Sequence, residues 1–487
     1  MAANSSDDIG TAPRLRHVVL NAGAWVISGF VLDKGLALVQ VMVLARLLAP
    51  ADFGLMAMSS AVLLVLFTLS ELGIESAIIT RRNVLDDDLA VAWTLSCIRA
   101  AVLAGGLWLS ADVIARAMLT PELAVFLKVH ALSCFLQGTQ SPAMALLLRR
   151  LDLKQRVRMD LIRRFVEMTV TIGLAAWLQS VWALLGGQLV GFAFGCIVSY
   201  VVATFRPRWV LGGPSLQYFL HFGKWINVTT VLAVAVMSGG EFLVGRMLGA
   251  EALGVYQIAL TIPLLIGVRA PVMIGQVSLP TYAMLQTDRP AVIKAFVFQM
   301  KVVGLLLLPV SMSLAVFAPI LVSILFGPRW TEAIEPLRIL SLYAICAGLT
   351  GTMAAVQYGM NRADLPMRVA VAQSAVYAIV VAPMITTFGL VGAAGALVVA
   401  YLTGVLLSVR YTVQLIGGET RAVLVSLMWI FLVSGAAGAA MLQWLPNIAG
   451  TRASLLFVGC GVAMVYGIYL WKVEYPRLLS LWRREAW

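Results

Sequence analysis

Apolar runs of about 20 residues, the length that a helix needs to cross the hydrocarbon core of a bilayer, recur along almost the whole chain. No other feature limits as strongly what the chain folds into. Of its 487 residues, 61% are hydrophobic and 12% are charged, whereas about 25% are charged in a soluble domain. The sequence predicts an all-α integral membrane protein, because a helix satisfies its own backbone hydrogen bonds in lipid.

Proline, glycine and charged residues divide these runs into about fourteen predicted transmembrane spans. The first apolar segment runs from about Val18 to Leu48, which is longer than the apolar region of about 7–15 residues in a cleaved signal peptide. We therefore expect it to be the first transmembrane helix. The spans lie near 18–46, 53–80, 89–118, 122–148, 159–179, 182–204, 222–248, 253–284, 292–325, 334–360, 366–387, 390–414, 422–444 and 453–472.

The positions of the basic residues predict the orientation, since cytoplasmic loops carry an excess of Lys and Arg. If the N-terminus is cytoplasmic, cytoplasmic segments hold 24 of the 35 basic residues, including the run "RRLDLKQRVRMDLIRR" at 149–164. The opposite side holds about seven and four lie within spans. We therefore expect both termini in the cytoplasm. Basic loops beside anionic lipid then explain the net charge of +12 without nucleic acid.

Two segments of the chain resemble each other when they are shifted by 200 residues without a gap, starting at Gly23 and at Gly223. Six predicted spans separate them, so both copies run in the same direction. This predicts two pseudo-symmetric six-helix lobes with an axis along the membrane normal. The identities are Gly23/Gly223, Trp25/Trp225, Val31/Val231, Leu32/Leu232, Arg46/Arg246, Leu48/Leu248 and Gly54/Gly254.

The repeat also predicts the domain organisation. The N-lobe with spans 1–6 covers 1–204, and an interfacial cytoplasmic linker covers 205–221. The C-lobe with spans 7–12 covers 222–416. Residues 417–487 then hold two additional helices and a basic cytoplasmic tail. Two lobes that meet at the membrane midplane are typical of a transporter that works by alternating access.

Four cations lie within predicted spans, where a charge costs about 2.5–3.5 kcal/mol on insertion scales. Lys34 and Arg269 lie near the middle of spans 1 and 8, and Arg99 and Lys301 lie nearer the ends of spans 3 and 9. Such side chains bind phosphate oxygens, so we expect them to bind an anionic substrate. The alternatives are structural pairing of Lys34 and Arg269 with embedded acids, and snorkelling of Arg99 and Lys301 to water.

Asp33 and Glu241 are the candidate residues for coupling transport to H⁺ or Na⁺. A structural pair with a cation is the equal alternative for Asp33. Adjacent side chains on a helix point about 100° apart, so we do not expect Asp33 and Lys34 to face each other.

The chain contains none of the tested motifs that indicate an enzyme or a bound metal. It has no GxSxG, P-loop or HExxH motif, no CxxC spacing, and its three histidines lie far apart. We therefore expect a protein that is not an enzyme, has no cofactor, and does not hydrolyse ATP itself.

The segments "VLARLLAPADFGLMAMS" and "LSELGIESAIITRRN" resemble the start of the polysaccharide transporter family. These are the bacterial O-antigen and exopolysaccharide flippases. They belong to the multidrug/oligosaccharidyl-lipid/polysaccharide exporter superfamily, which also holds multidrug extruders and lipid II flippases. The resemblance covers about residues 15–90.

This resemblance implies a flippase of the bacterial inner membrane with a MATE/MurJ-like fold and a cationic central cavity. The implied substrate is an undecaprenyl-diphosphate-linked oligosaccharide, whose diphosphate would meet Lys34 and Arg269. The family has arginines in its first and eighth helices, whereas this chain has a lysine in the first. A polymerase and other polysaccharide-assembly proteins are the expected partners, besides the lipid bilayer.

Two other functions remain as alternatives. A multidrug extruder of the same superfamily needs embedded acids that attract organic cations, and the excess of embedded cations argues against it. A membrane polymerase or ligase would carry its site on a large periplasmic loop, and no predicted loop exceeds about twenty residues.

Overall fold

The structure is a computed structural model, and it describes most of the chain up to residue 417. The described residues are 12–70, 74–75, 78, 85–149, 153–202, 205–212, 216, 228–269, 275, 278–279, 281–282 and 284–417. Predicted spans 13 and 14, the basic tail and most of the linker lie outside them.

All regular elements among these residues are helices. In chain order they are α1 (Ala12–Leu47), α2 (Pro50–Leu69), α3 (Asp86–Ala117), α4 (Leu123–Gly138), α5 (Met144–Arg149), α6 (Leu153–Leu178), α7 (Trp182–Val202), α8 (Val228–Leu264), α9 (Arg289–Leu325), α10 (Ile334–Gly359) and α11 (Asp364–Ile416). A π-helical turn, Leu265–Arg269, follows α8, and a 3₁₀ turn, Pro328–Ala333, precedes α10.

Seven helical segments of the described residues are long and apolar enough to cross a membrane. The chain is thus a helical, multi-pass membrane protein, as the sequence predicts. The full count of fourteen spans remains a prediction. The segments are α2, α3, α7, α9, Val234–Gly267, Pro328–Gly359 and Asp364–Ile416.

Two of the long helices contain a break at a glycine. Helix α11 would extend about 80 Å if it were straight, which is far more than one bilayer, but Gly389 has φ 58° and ψ −132°. Helix α8 is interrupted in the same way at Gly249, where φ is 90° and ψ is 172°. Glycine adopts such positive φ values without steric cost. The breaks fall where the sequence separates spans 11 and 12 and spans 7 and 8.

The two halves of the sequence repeat touch each other through their matched glycines. A Cβ added at Gly54 would lie 1.7 Å from the carbonyl oxygen of Ala250, and one added at Gly254 would lie 1.9 Å from that of Pro50. Positions 50 and 54 become 250 and 254 under the 200-residue shift, so the contacts are reciprocal. Only glycine permits this close approach of two backbones.

The matched arginines form a second reciprocal set of contacts. The Nη2 group of Arg46 donates to the carbonyl oxygen of Ile324, 2.6 Å away near the C-terminus of α9, and Arg246 donates to that of Ala117 at the C-terminus of α3. The sequence suggests that each arginine stabilises the end of its own helix. Arg46 does lie in the last turn of α1, and each arginine also donates to the C-terminal end of a second helix. We call the four residues Arg46, Gly54, Arg246 and Gly254 the repeat clamp.

The described part of the linker packs on α3. The backbone N–H of Val210 donates to the Thr94 hydroxyl oxygen at 3.1 Å, and the rings of Trp209 and Trp93 meet edge to face with centroids 5.0 Å apart. This contact anchors the segment that follows α7.

The described residues form two compact units. The first contains those within 12–261, 322–336 and 366–403, and the second those within 262–321, 337–365 and 404–417. The second unit has its own apolar core, in which Phe296 and Met300 of α9 cluster with Leu349 and Met353 of α10. The predicted lobe boundaries remain predictions.

Candidate functional site

The site lies in the first unit, where α1 packs along α6. Lys154 lies over the ring of Trp25, 5.4 Å from its centroid, and a Cβ on Gly29 would lie 2.2 Å from the Cγ1 atom of Val157. One turn further, Asp33 faces α6 as well. Because 25, 29 and 33 are spaced by four residues, they share one face of α1.

Asp33 and Lys34 form an ion pair, contrary to the expectation that they point apart. The distance from Lys34 Nζ to Asp33 Oδ2 is 2.6 Å, and each side chain is 31% exposed. The four-carbon stem of lysine is flexible enough to bend its ammonium back to the preceding residue. Asp33 therefore has a structural partner, although this does not test a role in coupling.

The ion pair continues into a network on α6. Arg164 Nε lies 4.0 Å from Asp33 Oδ1, and Arg164 Nη1 lies 3.0 Å from Glu167 Oε1. Arg163 Nη1 contacts the other oxygen of Glu167 at 3.3 Å. We call Asp33, Lys34, Arg163, Arg164 and Glu167 the charged network. Its three cations and two carboxylates leave one net positive charge.

The charged network lies well inside the helices rather than at their ends. Asp33 lies 14 residues before Leu47, where α1 ends. Arg164 likewise lies 14 residues before Leu178, where α6 ends. At 1.5 Å per residue both positions are about 21 Å from those ends. Arg163 and Arg164 end the basic run 149–164 and fall within the predicted span 159–179, and both lie within α6.

A stripe of glycines on α7 gives the network its space. A Cβ at Gly191 would lie 3.0 Å from Cβ and Cγ of Glu167, and one at Gly195 would lie 2.9 Å from Cδ of Arg163. Gly187 is the tightest position, with a Cβ 1.8 Å from the Thr171 hydroxyl oxygen. Small residues at intervals of four let membrane helices approach closely.

A cavity of about 380 Å³ lies beside Arg164. Its walls come from α1, α2, α6, α7 and α8, and they are mostly apolar. Its polar lining residues are Gln40, Ser60, Arg164, Glu241, Gln257 and Thr261. An apolar cavity with a few polar groups directed into it is typical of a small-molecule site.

Two polar atoms at this cavity are buried and have no hydrogen-bond partner among the described residues. They are the Nε atom of Arg164, a donor, and the Oε1 atom of Gln40, an acceptor. The Gln40 residue is only 7% exposed. Burying such groups without a partner costs about 1–3 kcal/mol each, so the two residues stabilise the fold less than apolar residues of the same shape would.

Glu241 lies on α8 and lines the same cavity as Arg164 of α6. Gln257, which follows the break at Gly249, donates a hydrogen bond to its carboxylate. The neighbouring residue, Gly240, leaves room for the hydroxyl group of Tyr377. A Cβ atom added at Gly240 would lie only 2.0 Å from that hydroxyl oxygen. The cavity therefore contains a carboxylate as well as the guanidinium of Arg164.

The other predicted binding residues lie elsewhere. Arg99 on α3 donates from Nη1 to the carbonyl oxygen of Ser70 at 3.2 Å. Lys301 is half-buried on α9, in the second unit. Arg269 ends the π-helical turn of the second unit, and its side chain lies outside the described residues. The structure brings Lys34 together with Asp33, but it does not test the binding roles.

Sequence reasoning missed Arg164 and Gln40 as site residues. For Arg164 a signal existed, since Glu167 follows three residues later and an i, i+3 pair can hold both charges within a helix. Nothing in the sequence distinguishes Gln40 from any other polar residue in a membrane helix.

The segment "VLARLLAPADFGLMAMS", which carries the family resemblance, has a structural role where α1 ends and α2 begins. Asp52 accepts the backbone N–H of Ala49 at 2.9 Å, which caps α2, and that of Val181 at 3.0 Å. Nearby, Trp330 donates to the carbonyl oxygen of Ala45 at 2.8 Å. This region therefore ties together segments that are far apart in sequence.

A protein-family model described as "Polysaccharide biosynthesis protein" matches residues 43–335, which is more than half of the chain. The lipopolysaccharide biosynthesis protein WzxC of Escherichia coli K12 is 23% identical over 360 residues, or 73% of this chain and 72% of the relative. The succinoglycan biosynthesis transport protein ExoT of Rhizobium meliloti is 25% identical over 331 residues, or 67% of this chain and 66% of the relative.

Solved structures resemble the chain in fold. The lipid II flippase MurJ in an inward closed conformation matches with a TM-score of 0.74 and 14% identity, over 94% of this chain and 99% of MurJ. A multidrug resistance MATE family transporter in an inward-facing conformation matches with a TM-score of 0.60 and 16% identity, over 79% of this chain and 95% of the transporter. At these identities the likeness concerns the fold, which agrees with the predicted MATE/MurJ-like class.

Proposed function

Because the chain belongs to the family of polysaccharide biosynthesis proteins, we propose that it is a flippase for a lipid-linked oligosaccharide. It moves an undecaprenyl-diphosphate-linked oligosaccharide from the cytoplasmic to the outer leaflet of a bacterial inner membrane. The names of its relatives support this proposal, since they include a lipopolysaccharide biosynthesis protein and a succinoglycan transport protein.

The observation that carries the proposal is the charged network beside the cavity in a membrane protein. A diphosphate brings about two negative charges into a region of low dielectric, where it needs cations that are already in place. The charged network supplies one net positive charge. We propose that Lys34 and Arg269 bind the diphosphate, with Arg99 and Lys301 assisting its passage.

Transport against a gradient requires a source of free energy, and the chain has no ATP-binding motif. We propose that Asp33 or Glu241 binds H⁺ or Na⁺ during the cycle. Glu241 suits this role because its carboxylate lines the cavity.

The repeat clamp suggests how the flippase alternates its access. With both termini in the cytoplasm, as the basic loops predict, the clamp lies at the outer end of the protein. We propose that it closes this end in the present state and separates when the cavity opens to the outer leaflet. A polymerase and other polysaccharide-assembly proteins then receive the substrate.

A multidrug extruder is the second candidate function, and one observation favours it. Glu241 places a carboxylate in the cavity, and a carboxylate attracts organic cations. Drug resistance of cells that express the chain, without any effect on polysaccharide, would support this second function.

Complementation of a strain that lacks the gene tests the proposed function. The wild-type gene should restore surface polysaccharide, and Lys34→Ala and Arg269→Ala should each abolish it while the protein remains in the membrane. Lys128→Ala is a matched control, because Lys128 forms an exposed ion pair with Asp112 on α3. Normal polysaccharide from both site variants would contradict the assignment.

A further inference from the structure

Arg164 is the charged residue that joins the network to the cavity. It lies within 4.0 Å of Asp33 on one side and lines the cavity on the other. Its side chain is 19% exposed, less than that of Lys34 at 31%. A cation in this position is both shielded from bulk water and accessible from the cavity.

The guanidinium of Arg164 has donor capacity that the protein does not use. Arginine has five N–H donors. Nη1 reaches Glu167 at 3.0 Å, but Nε lies 4.0 Å from Asp33, which is beyond hydrogen-bond distance. Nε has no acceptor among the described residues. Nε itself is fully buried, so a phosphate would meet the part of the Arg164 side chain that lines the cavity, and the forked geometry of a guanidinium matches phosphate oxygens.

The cavity is partly open and has a volume of about 380 Å³, which lies within the range of small-ligand sites. The unpaired acceptor of Gln40 fits a sugar hydroxyl, since a hydroxyl is a donor.

We propose that Arg164 is a further substrate-binding residue, which holds a phosphate of the lipid-linked diphosphate in the cavity next to Gln40. This inference rests on the proposed flippase function and adds a residue of α6 to those of the first and eighth predicted spans. Lys34 pairs with the same carboxylate, Asp33, but it is not among the residues that line the cavity.

Binding of undecaprenyl diphosphate to the purified full-length protein in nanodiscs tests the proposal. Arg164→Gln should weaken binding about tenfold or more, because a charge-assisted hydrogen bond to phosphate is lost. Arg164→Lys keeps the charge without the fork, and we expect a loss of about threefold or more. Arg156→Gln is the matched control on α6, where Arg156 pairs with Asp160 at 3.2 Å, and it should bind like the wild type.

Two further ligands separate a binding role from a purely structural one. Undecaprenol has no phosphate, so Arg164→Gln should leave its binding unchanged. Inorganic pyrophosphate tests whether the lipid is needed, and it should compete far more weakly than undecaprenyl diphosphate. Equal competition by pyrophosphate would overturn the assignment of a lipid-linked ligand.

The outcomes separate this inference from the proposed function. Wild-type affinity for undecaprenyl diphosphate in both Arg164 variants overturns the role of Arg164 alone. Absence of binding by the wild-type protein overturns the diphosphate ligand and this inference together. If Arg164→Gln does not accumulate in the membrane, the affinity of Arg164→Lys for undecaprenyl diphosphate tests the role of Arg164 by itself.

Discussion

At the scale of single residues, the site contains buried polar atoms for which the described residues supply no hydrogen-bond partner. Gln40 and Arg164 each have a buried polar atom without a hydrogen-bond partner among the described residues. Most buried polar groups in folded proteins have partners. Both residues line the same cavity, although the two atoms themselves are buried.

Gln40→Met should make the empty protein more stable and the transporter less active. Methionine has a similar shape and removes an unsatisfied buried acceptor, which costs about 1–3 kcal/mol. We therefore expect a higher melting temperature in detergent and less surface polysaccharide. Residues that serve function at the expense of stability behave in this way.

Gln188→Met is the matched control for this experiment. Gln188 lies 2.6 Å from Nε2 of the buried His130, so its removal leaves a polar group without its partner. We expect a lower melting temperature. A loss of stability in Gln40→Met as well would show that Gln40 has a structural partner.

At the scale of helices, glycines decide where charges can be buried. The stripe on α7 allows α6 to approach closely enough to enclose Glu167 and Arg163. The sequence shows these glycines, but it does not show which helix they face. The repeat clamp likewise depends on contacts between segments 129 to 278 residues apart in sequence.

Replacement of Gly187 tests the packing of α6 on α7. Gly187→Ala places a Cβ 1.8 Å from the Thr171 hydroxyl oxygen and 2.8 Å from its Cα, so the helices must separate. We expect a loss of about 1–3 kcal/mol in the free energy of unfolding, as in other overpacked cores. Gly105→Ala on α3 is the control, because nothing lies within 4 Å of its added Cβ. Equal stability of the two variants would contradict the packing.

Removal of the clamp arginines should open the outer end that we propose they close. Arg46→Ala and Arg246→Ala each remove a hydrogen bond from an arginine to a helix C-terminus. We expect faster labelling of a cysteine introduced at Ser60, a residue of the cavity wall, by a membrane-impermeant thiol reagent added outside. The double variant should label fastest.

Arg329→Ala provides the comparison for the labelling experiment, since Arg329 is an exposed residue outside the clamp. The cysteine at position 60 should be labelled at the same rate in Arg329→Ala as in the protein with an unchanged repeat clamp. If the clamp variants also label at this rate, the repeat clamp does not close the outer end.

At the scale of the whole molecule, the sequence predicted the class of fold and the family. Apolar runs fix an all-α membrane protein, and the segment around Asp52 carries the resemblance that the family match supports. The site was harder to predict, because Arg164 becomes a cavity residue only through the packing of α6 on α1 and α7. The ion pair of Asp33 and Lys34 depends on side-chain flexibility, which helical periodicity does not describe.

Translocation in proteoliposomes tests the central claim most directly. An undecaprenyl-diphosphate-linked oligosaccharide is placed in both leaflets, and its sugar is then digested from outside with a membrane-impermeant glycosidase. With the wild-type protein, digestion should proceed beyond the outer leaflet toward completion as substrate crosses. With Lys34→Ala it should stop at about half, the share of one leaflet. For this test the wild-type protein is reconstituted in a folded form and supplied with a proton or sodium gradient. If digestion then stops at half, the result would contradict the account.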